Sequence, residues 1–280
     1  MISVARVLIA SLLLVSACSA GDAGQQAPSS ESGEPSRKVN VGIATDMPGL
    51  GVASGYKYSG FDVDLYQWLG QHAEPSFVPV AVPMPVSDRV NALVDGRVDL
   101  VVEAFSITDA RREEVDFAGP YLVTKQGVMV RTGDTSIQTL AQLEGRTVCT
   151  LAGSTSLQQV VEGALKKKVT LIEETGLQQC ADRLRSGLAD AVSTDQLILH
   201  GMAQQDPAHL SVVPNLTLGS DESYGIGLPN GSRQLCEAFT AKIKEFIVDG
   251  YWNNFFAQHF GDLPHPEQYQ PSVDRLDRCE

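Results

Sequence analysis

Val98-Asp99-Leu100-Val101-Val102-Glu103-Ala104-Phe105-Ser106-Ile107-Thr108-Asp109-Ala110-Arg111-Arg112 is the stretch on which the fold turns. Val98–Val102 has the length and apolar content of a buried strand. A polar junction follows, and Thr108 and Asp109 then open a short polar helix. Strand, junction and helix make one unit, and the same unit recurs on both sides of it.

Upstream, Val39–Ala44 reads as a strand. Phe61, Leu65 and Leu69 recur at helical spacing beside Trp68, which predicts a helix over Phe61–His72. Phe77–Val82 is β-like, and Ser87 is placed to cap a helix whose inner face is Val90, Leu93 and Val94, stopped by Gly96. Downstream, Gly127–Arg131 is a strand, and after Gly133 the pattern begins again. Thr139–Gln142 is a capping box. Thr147–Leu151, Val169–Glu173 and Ala189–Ser193 read as strands. Ser154–Lys167, the face Leu177/Cys180/Leu184 and Gln196–Gln204 read as helices. Tyr224–Leu228 is β-like, and Ser232–Asp249 and Trp252–Phe260 carry apolar helical stripes. This alternation predicts an α/β fold with mainly parallel sheets and a second α/β lobe. Pro264, Pro266 and Pro271 break the tail, which is expected to wrap a lobe, held by Cys279.

The 280 residues are 43% hydrophobic and 20% charged, a globular composition. The formal net charge of −13 repels phosphate backbones and argues against nucleic acid as a partner. A mean hydropathy of −0.05 excludes a multi-span membrane protein. Residues 1–17 place Arg6 ahead of the apolar run Val7–Val15, the pattern of a secretory signal too short to span as a mature helix. The run ends Leu14-Val15-Ser16-Ala17-Cys18, which resembles a bacterial lipobox. That resemblance implies cleavage before Cys18 and its lipidation, an anchor to the outer face of the cell membrane. Residues 18–38, rich in Gly, Ser, Pro, Gln and Glu, read as a flexible tether. Cys149, Cys180, Cys236 and Cys279 remain, and an even count in an exported chain suggests two disulfides. Of three connectivities, Cys149–Cys180 with Cys236–Cys279 keeps each bridge within one region of the chain.

The chain has no GxSxG, no GxGxxG after its first strand, no phosphate-binding GxxxxGK[ST], no CxxC and no HExxH. Its five His are scattered, so no metal or cofactor is expected. Asp62/Asp64 and Glu113/Glu114 read as solvated acids, because such neighbours do not face each other on a helix. What remains are polar groups at strand-to-helix junctions, where α/β sheets bind ligands. Arg111 follows the strand ending at Val102; it reads either as a ligand cation or as a partner of Glu114 or Asp116. Gly153-Ser154-Thr155-Ser156 opens a helix, as an anion site or a routine cap. Asp195 follows the strand Ala189–Ser193, as an N-cap or an ammonium partner. A cation, an anion-binding helix end and a carboxylate at one kind of edge suit a zwitterion such as an amino acid.

Gly60-Phe61-Asp62-Val63-Asp64-Leu65 with Leu69-Gly70 resembles the signature of the polar amino-acid solute-binding proteins of ABC importers, extracellular solute-binding family 3. Ser106-Ile-Thr-Asp-Ala-Arg111-Arg, Val115-Asp-Phe117, Gly119-Pro-Tyr121, Gly153-Ser-Thr-Ser156 and Ala189-Asp-Ala-Val-Ser-Thr-Asp195 resemble it as well, in the same order, from Val39 to about Gly261. The resemblance implies a type II periplasmic-binding-protein-like fold of two α/β lobes, each a sheet flanked by helices, joined by two hinge strands. Residues 39–124 and 225–261 would form lobe 1, residues 125–224 lobe 2, and residues 262–280 the tail. By the same resemblance Arg111 would clamp the ligand carboxylate with Ser106, Ser154 and Thr155. The Ala104 carbonyl and Asp195 would take the ammonium. Gly49 and Val86 stand where many members stack an aromatic residue, leaving Tyr56 or Tyr58 to replace it; Leu151 stands where a Lys is often found. Arg89 stands where glutamate- and aspartate-binding members meet the side-chain carboxylate, and reads otherwise as a surface Arg on a helix.

The function implied is capture of an amino acid, glutamate or aspartate first and glutamine or asparagine second, and its delivery to an ABC permease and its ATPase subunits by a lipid-anchored monomer. Two alternatives use the same trap: a sensor coupled to a membrane kinase, and a dehydratase-like enzyme that would need Glu103 or Asp195 as its acid.

Overall fold

The computed structural model describes residues 37–163, 168–261, 263–276 and 279. The secretory signal, Cys18 and the tether up to residue 36 lie outside the described residues, as does the end of the predicted helix 154–167. The chain runs β1 (Arg37–Ile43), β2 (Asp46–Met47), β3 (Gly51–Ser54), β4 (Lys57–Ser59), α1 (Phe61–His72) and β5 (Phe77–Pro83). Then come α2 (Arg89–Val94), β6 (Leu100–Val101), α3 (Asp109–Arg112), β7 (Val115–Arg131), β8 (Thr147–Leu151) and α4 (Thr155–Glu162). The remainder is β9 (Thr170–Glu174), α5 (Leu177–Arg185), β10 (Ala191–Asp195), α6 (Gln196–Gln205), β11 (Leu210–Pro229), α7 (Arg233–Val248) and α8 (Tyr251–Phe260).

Eight strands form one sheet in the order β5-β1-β6-β11-β7-β10-β8-β9, and β2-β3-β4 form a small separate sheet. The two long strands β7 and β11 pair antiparallel with each other, from Val115↔Pro229 to Arg131↔Leu210, with three register shifts. They run through both halves of the molecule and divide the sheet between them. One half holds β5, β1 and β6 with α1, α2, α7 and α8; the other holds β10, β8 and β9 with α4, α5 and α6. Two halves, each a sheet flanked by helices and joined by two strands, are what the resemblance implied. The sheet is mixed, however, and not mainly parallel. β5-β1-β6 and β10-β8-β9 are parallel, while β6-β11-β7-β10 are antiparallel. The pattern showed only Gly127–Arg131 of β7 and Tyr224–Leu228 of β11, because Gly119-Pro120 and Pro214-Asn215 break their apolar runs. The small antiparallel sheet β2-β3-β4 was likewise not anticipated.

Local chemistry explains the elements. β5 carries Pro79 and Pro83, which donate nothing to a ladder, and it lies at the sheet edge, where they cost least. α1 turns Phe61, Leu65 and Leu69 into the core, where Phe61 meets Trp252 at 5.9 Å and Phe246 at 6.0 Å. Asp62 is the correction on this helix: it is 1% exposed, not solvated. Ser87 does not cap α2; it lies within a 3-10 turn over Val86–Asp88, and Asp88 occupies the cap position with its carboxylate on Arg97. Cys149 of β8 bridges to Cys180 of α5, and Cys236 of α7 to Cys279 of the tail, the expected pairing. The tail folds back as expected: Leu263 and Tyr269 are buried, and Tyr269 stacks on Phe256 at 5.4 Å. Among the described residues no helix is long and apolar enough to cross a membrane.

Candidate functional site

The carboxyl ends of β1, β6, β8 and β10 meet where the halves face each other. A cavity of about 20 Å³ lies there, room for about one water. Met47, Val86, Arg89, Ala104 and Ser106 line it from one half; Leu151, Ser154, Thr155, Ser156, Thr194, Asp195 and Ile198 line it from the other. Six of the seven residues expected in the site are therefore brought together here. The seventh, Arg111, reaches across its mouth: its guanidinium donates to the Ser106 carbonyl at 2.6 Å and to the Gly153 carbonyl at 3.1 Å. It is not paired with Glu114 or Asp116. A larger groove of about 460 Å³ opens beside the start of β1, but its walls are mainly apolar and hold none of these groups.

The halves are closed on one another. A Cβ on Gly153 (φ +72°) would come within 2.6 Å of the Ser87 Cα, and one on Gly201 of α6 would collide with the Pro48 carbonyl. Glycine at both positions permits this approach. Asp46 Oδ2 accepts the Leu177 amide at 2.6 Å, from β2 to the first turn of α5. An amino acid enters this closed cavity only when the halves part or the wall side chains turn.

Arg89 is 4% exposed and not a surface residue. Its Nε donates to the Val86 carbonyl, and its Nη1 to the Glu103 and Ala104 carbonyls, each at 2.9 Å. The Ala104 carbonyl, expected to meet an ammonium, thus accepts from Arg89 in this closed state. The guanidinium carbons of Arg89 and Arg111 lie 4.7 and 4.9 Å from the centroid of the Phe105 ring. Burial, and then the nearby Arg89 charge, push Arg111 down to about 9. Burial lowers Arg89 too, against the pull of Glu103, Tyr224, Asp195 and Tyr121.

Three buried carboxyls surround these cations. Glu103 is held up at about 8, chiefly by burial, with Oε2 buried and unpartnered. Asp195 is pushed up to about 7 by burial and by Glu222; Oδ2 accepts the Tyr224 hydroxyl, and Oδ1 is buried without a partner. Asp62 is pushed up to about 7 by burial, against bonds from the Ala104 amide at 2.8 Å and the Tyr121 hydroxyl at 2.9 Å. Opposite them, Ser154 Oγ accepts the Leu157 amide at 3.1 Å and caps α4. Thr155 Oγ1 accepts from Gln126 Nε2, which also donates to Glu222, both at 3.1 Å. Chemically, this is two cations, a hydroxyl-rich helix start and an unpartnered carboxylate oxygen around one small space.

Neither Tyr56 nor Tyr58 replaces the missing aromatic contact: Tyr56 is fully exposed at the β3–β4 tip, and Tyr58 does not line the cavity. Phe105, beneath both arginines, and Asp62 were missed by sequence reasoning. Asp62 had a signal, since Leu65, Tyr66 and Leu69 follow it at i+3, i+4 and i+7 on the buried face. Among the described residues no cluster of His, Cys, Asp and Glu could hold a metal ion.

Residues 39–262 match the family model of the bacterial extracellular solute-binding proteins, family 3. The glutamate-binding protein GluB of Corynebacterium efficiens is 32% identical over 238 residues, 80% of this chain and 79% of that protein. The ABC transporter glutamine-binding protein GlnH of Bacillus subtilis is 28% identical over 276 residues, 94% of this chain and 97% of that protein. A solved ancestral arginine-binding protein bound to arginine superposes with a TM-score of 0.73 at 30% identity, covering 80% of this chain and 98% of that one. Fold, site chemistry and these matches agree: the chain belongs to family 3 of the bacterial extracellular solute-binding proteins and has the type II, two-lobe fold.

Proposed function

We propose that this protein captures an acidic amino acid, glutamate or aspartate ahead of glutamine or asparagine, and delivers it to an ABC permease and its ATPase subunits. It works outside the cell membrane, held there as a monomer by a lipid on Cys18, and it is not an enzyme. One observation carries the choice of ligand: two guanidiniums, buried Arg89 and half-buried Arg111, share the Phe105 ring beside a cavity walled on the other side by Asp195. Arg111 suits an α-carboxylate, because its fork already spans carbonyls from both halves. Asp195 suits the ammonium, because its Oδ1 has no other partner. A second cation then favours a second carboxylate and disfavours a neutral side chain. The relative named as glutamate-binding supports this order of ligands, and the relative named as glutamine-binding supports the second choice. Ligand contacts to both halves would favour the closed form by their differential affinity, and the closed form is what a permease would recognise.

Calorimetric titration of Glu, Asp, Gln, Asn, Arg and His into the protein stripped of carried-over ligand tests this reading. Tight one-to-one binding of Glu or Asp over Gln supports it. Preference for Gln or Arg removes the selective role of Arg89, and a ligand recovered chemically altered would replace capture with catalysis.

A further inference from the structure

The acid at position 62 lies outside the cavity, yet it touches the turn that shapes the cavity wall. Ala104 is one of three described non-glycine residues with positive φ, at +43°. That left-handed turn strains a side-chain-bearing residue. It also brings two successive carbonyls, of Glu103 and Ala104, onto one nitrogen of Arg89, each at 2.9 Å. The Ala104 amide is left facing the interior, where an unmet N–H is expensive. Asp62 Oδ2 takes that amide at 2.8 Å, and Oδ1 takes the Tyr121 hydroxyl of β7 at 2.9 Å. A continuous chain of bonds thus runs Tyr121–Asp62–Ala104–Arg89, forty-two residues of sequence separating its two middle members.

We infer that Asp62 is a positioning residue of the ligand site: its carboxylate locks the Ala104 turn and thereby aims the Arg89 guanidinium at the ligand side chain. The inference rests on the amino-acid-capture reading above. It assigns Asp62 a geometric role. A neutral side chain of the same shape should therefore serve, because an Asn carbonyl accepts the Ala104 amide while its NH2 donates to the Tyr121 oxygen.

Calorimetry with L-glutamate and L-glutamine on the full chain decides it, using Asp62→Ala, Asp62→Asn, Ala104→Gly and the double variant Asp62→Ala/Ala104→Gly. Expected for Asp62→Ala is at least a tenfold loss for glutamate and under threefold for glutamine. Asp62→Asn should stay within threefold of wild type for both. Glycine at 104 removes the strain of the turn, so the double variant should recover at least threefold of the lost glutamate affinity. Equal losses for both ligands, Asp62→Asn as weak as Asp62→Ala, or glutamate binding unaffected by Asp62→Ala would each overturn the inference. So would failure of both Asp62→Ala variants to fold, which would make Asp62 a core-building residue. A wild type that binds neither ligand overturns the capture reading itself, and one that prefers glutamine removes the selective role of Arg89 and this inference with it, leaving capture in place. A wild type that prefers glutamate while Asp62→Ala changes nothing overturns only the role of Asp62.

Discussion

Asp46 Oδ2 and the Leu177 amide are 2.6 Å apart, and they belong to opposite halves of the molecule. Asp46 therefore acts as a side-chain cap for α5 only while the halves are closed. Such a cap contributes about 1 kcal/mol, charged to the closed form alone. Asp46→Ala is expected to weaken amino-acid binding about fivefold, mostly through faster release. Stopped-flow fluorescence on ligand chase measures it, and an unchanged release rate would refute the latch.

Arg111 touches both halves through backbone carbonyls of Ser106 and Gly153. In the complex those donors would turn to a carboxylate, as charge-assisted bonds. Removing one partner of such a pair costs about 2–5 kcal/mol of binding. Arg111→Ala is expected to lose at least thirtyfold in affinity for every amino acid bound, with a thermal midpoint close to wild type. If it binds amino acids as wild type does, Arg111 is not in the ligand site.

Much of this was legible because it depends on short-range pattern. Helix α1 follows from Phe61, Leu65 and Leu69, and six of the seven expected site residues line one cavity with Arg111 at its mouth. The long central strands were not legible. Proline, glycine and charged residues within β7 and β11 destroy the period-two signal, and pairing across the hinge supplies what the local sequence lacks. The burial of Asp62 and the three carbonyls held by Arg89 depend on tertiary approach, which spacing within one helix cannot reveal.

Stability should fall as pH rises through neutrality. Asp62, Glu103 and Asp195 are held at about 7, 8 and 7, far above an unfolded carboxyl, so the folded state binds these protons more tightly than the unfolded one. Their stabilising contribution is full below the unfolded value and is lost as pH rises through the folded one. His200, lowered by burial from 6.5, acts in the opposite direction, but only below that value. The clean window is therefore about pH 6.5 to 8.5. Denaturant unfolding of ligand-free protein should give a higher midpoint at the lower pH, and a flat or rising profile would contradict the burial of these acids.

Arg89 and Glu103 should be coupled in the same window. Arg89→Met keeps most of the volume but leaves the Val86, Glu103 and Ala104 carbonyls without a donor and Glu103 without its nearest cation. Where Glu103 stays charged, losing that cation adds a charge penalty to the loss of the three carbonyl bonds. Glu103 is already held near 8, so at pH 6.5 it is largely protonated and the charge part of the penalty is absent. The variant should lose less stability at pH 6.5 than at pH 8.5, and adding Glu103→Gln should narrow the difference, the remainder coming from Asp62 and Asp195, which the Arg89 charge also holds down. In calorimetry the same Arg89→Met variant should lose its preference for glutamate over glutamine. Equal losses at both pH values in the single variant would mean that Arg89 stabilises through its three carbonyl bonds alone, with no contribution from the Glu103 charge.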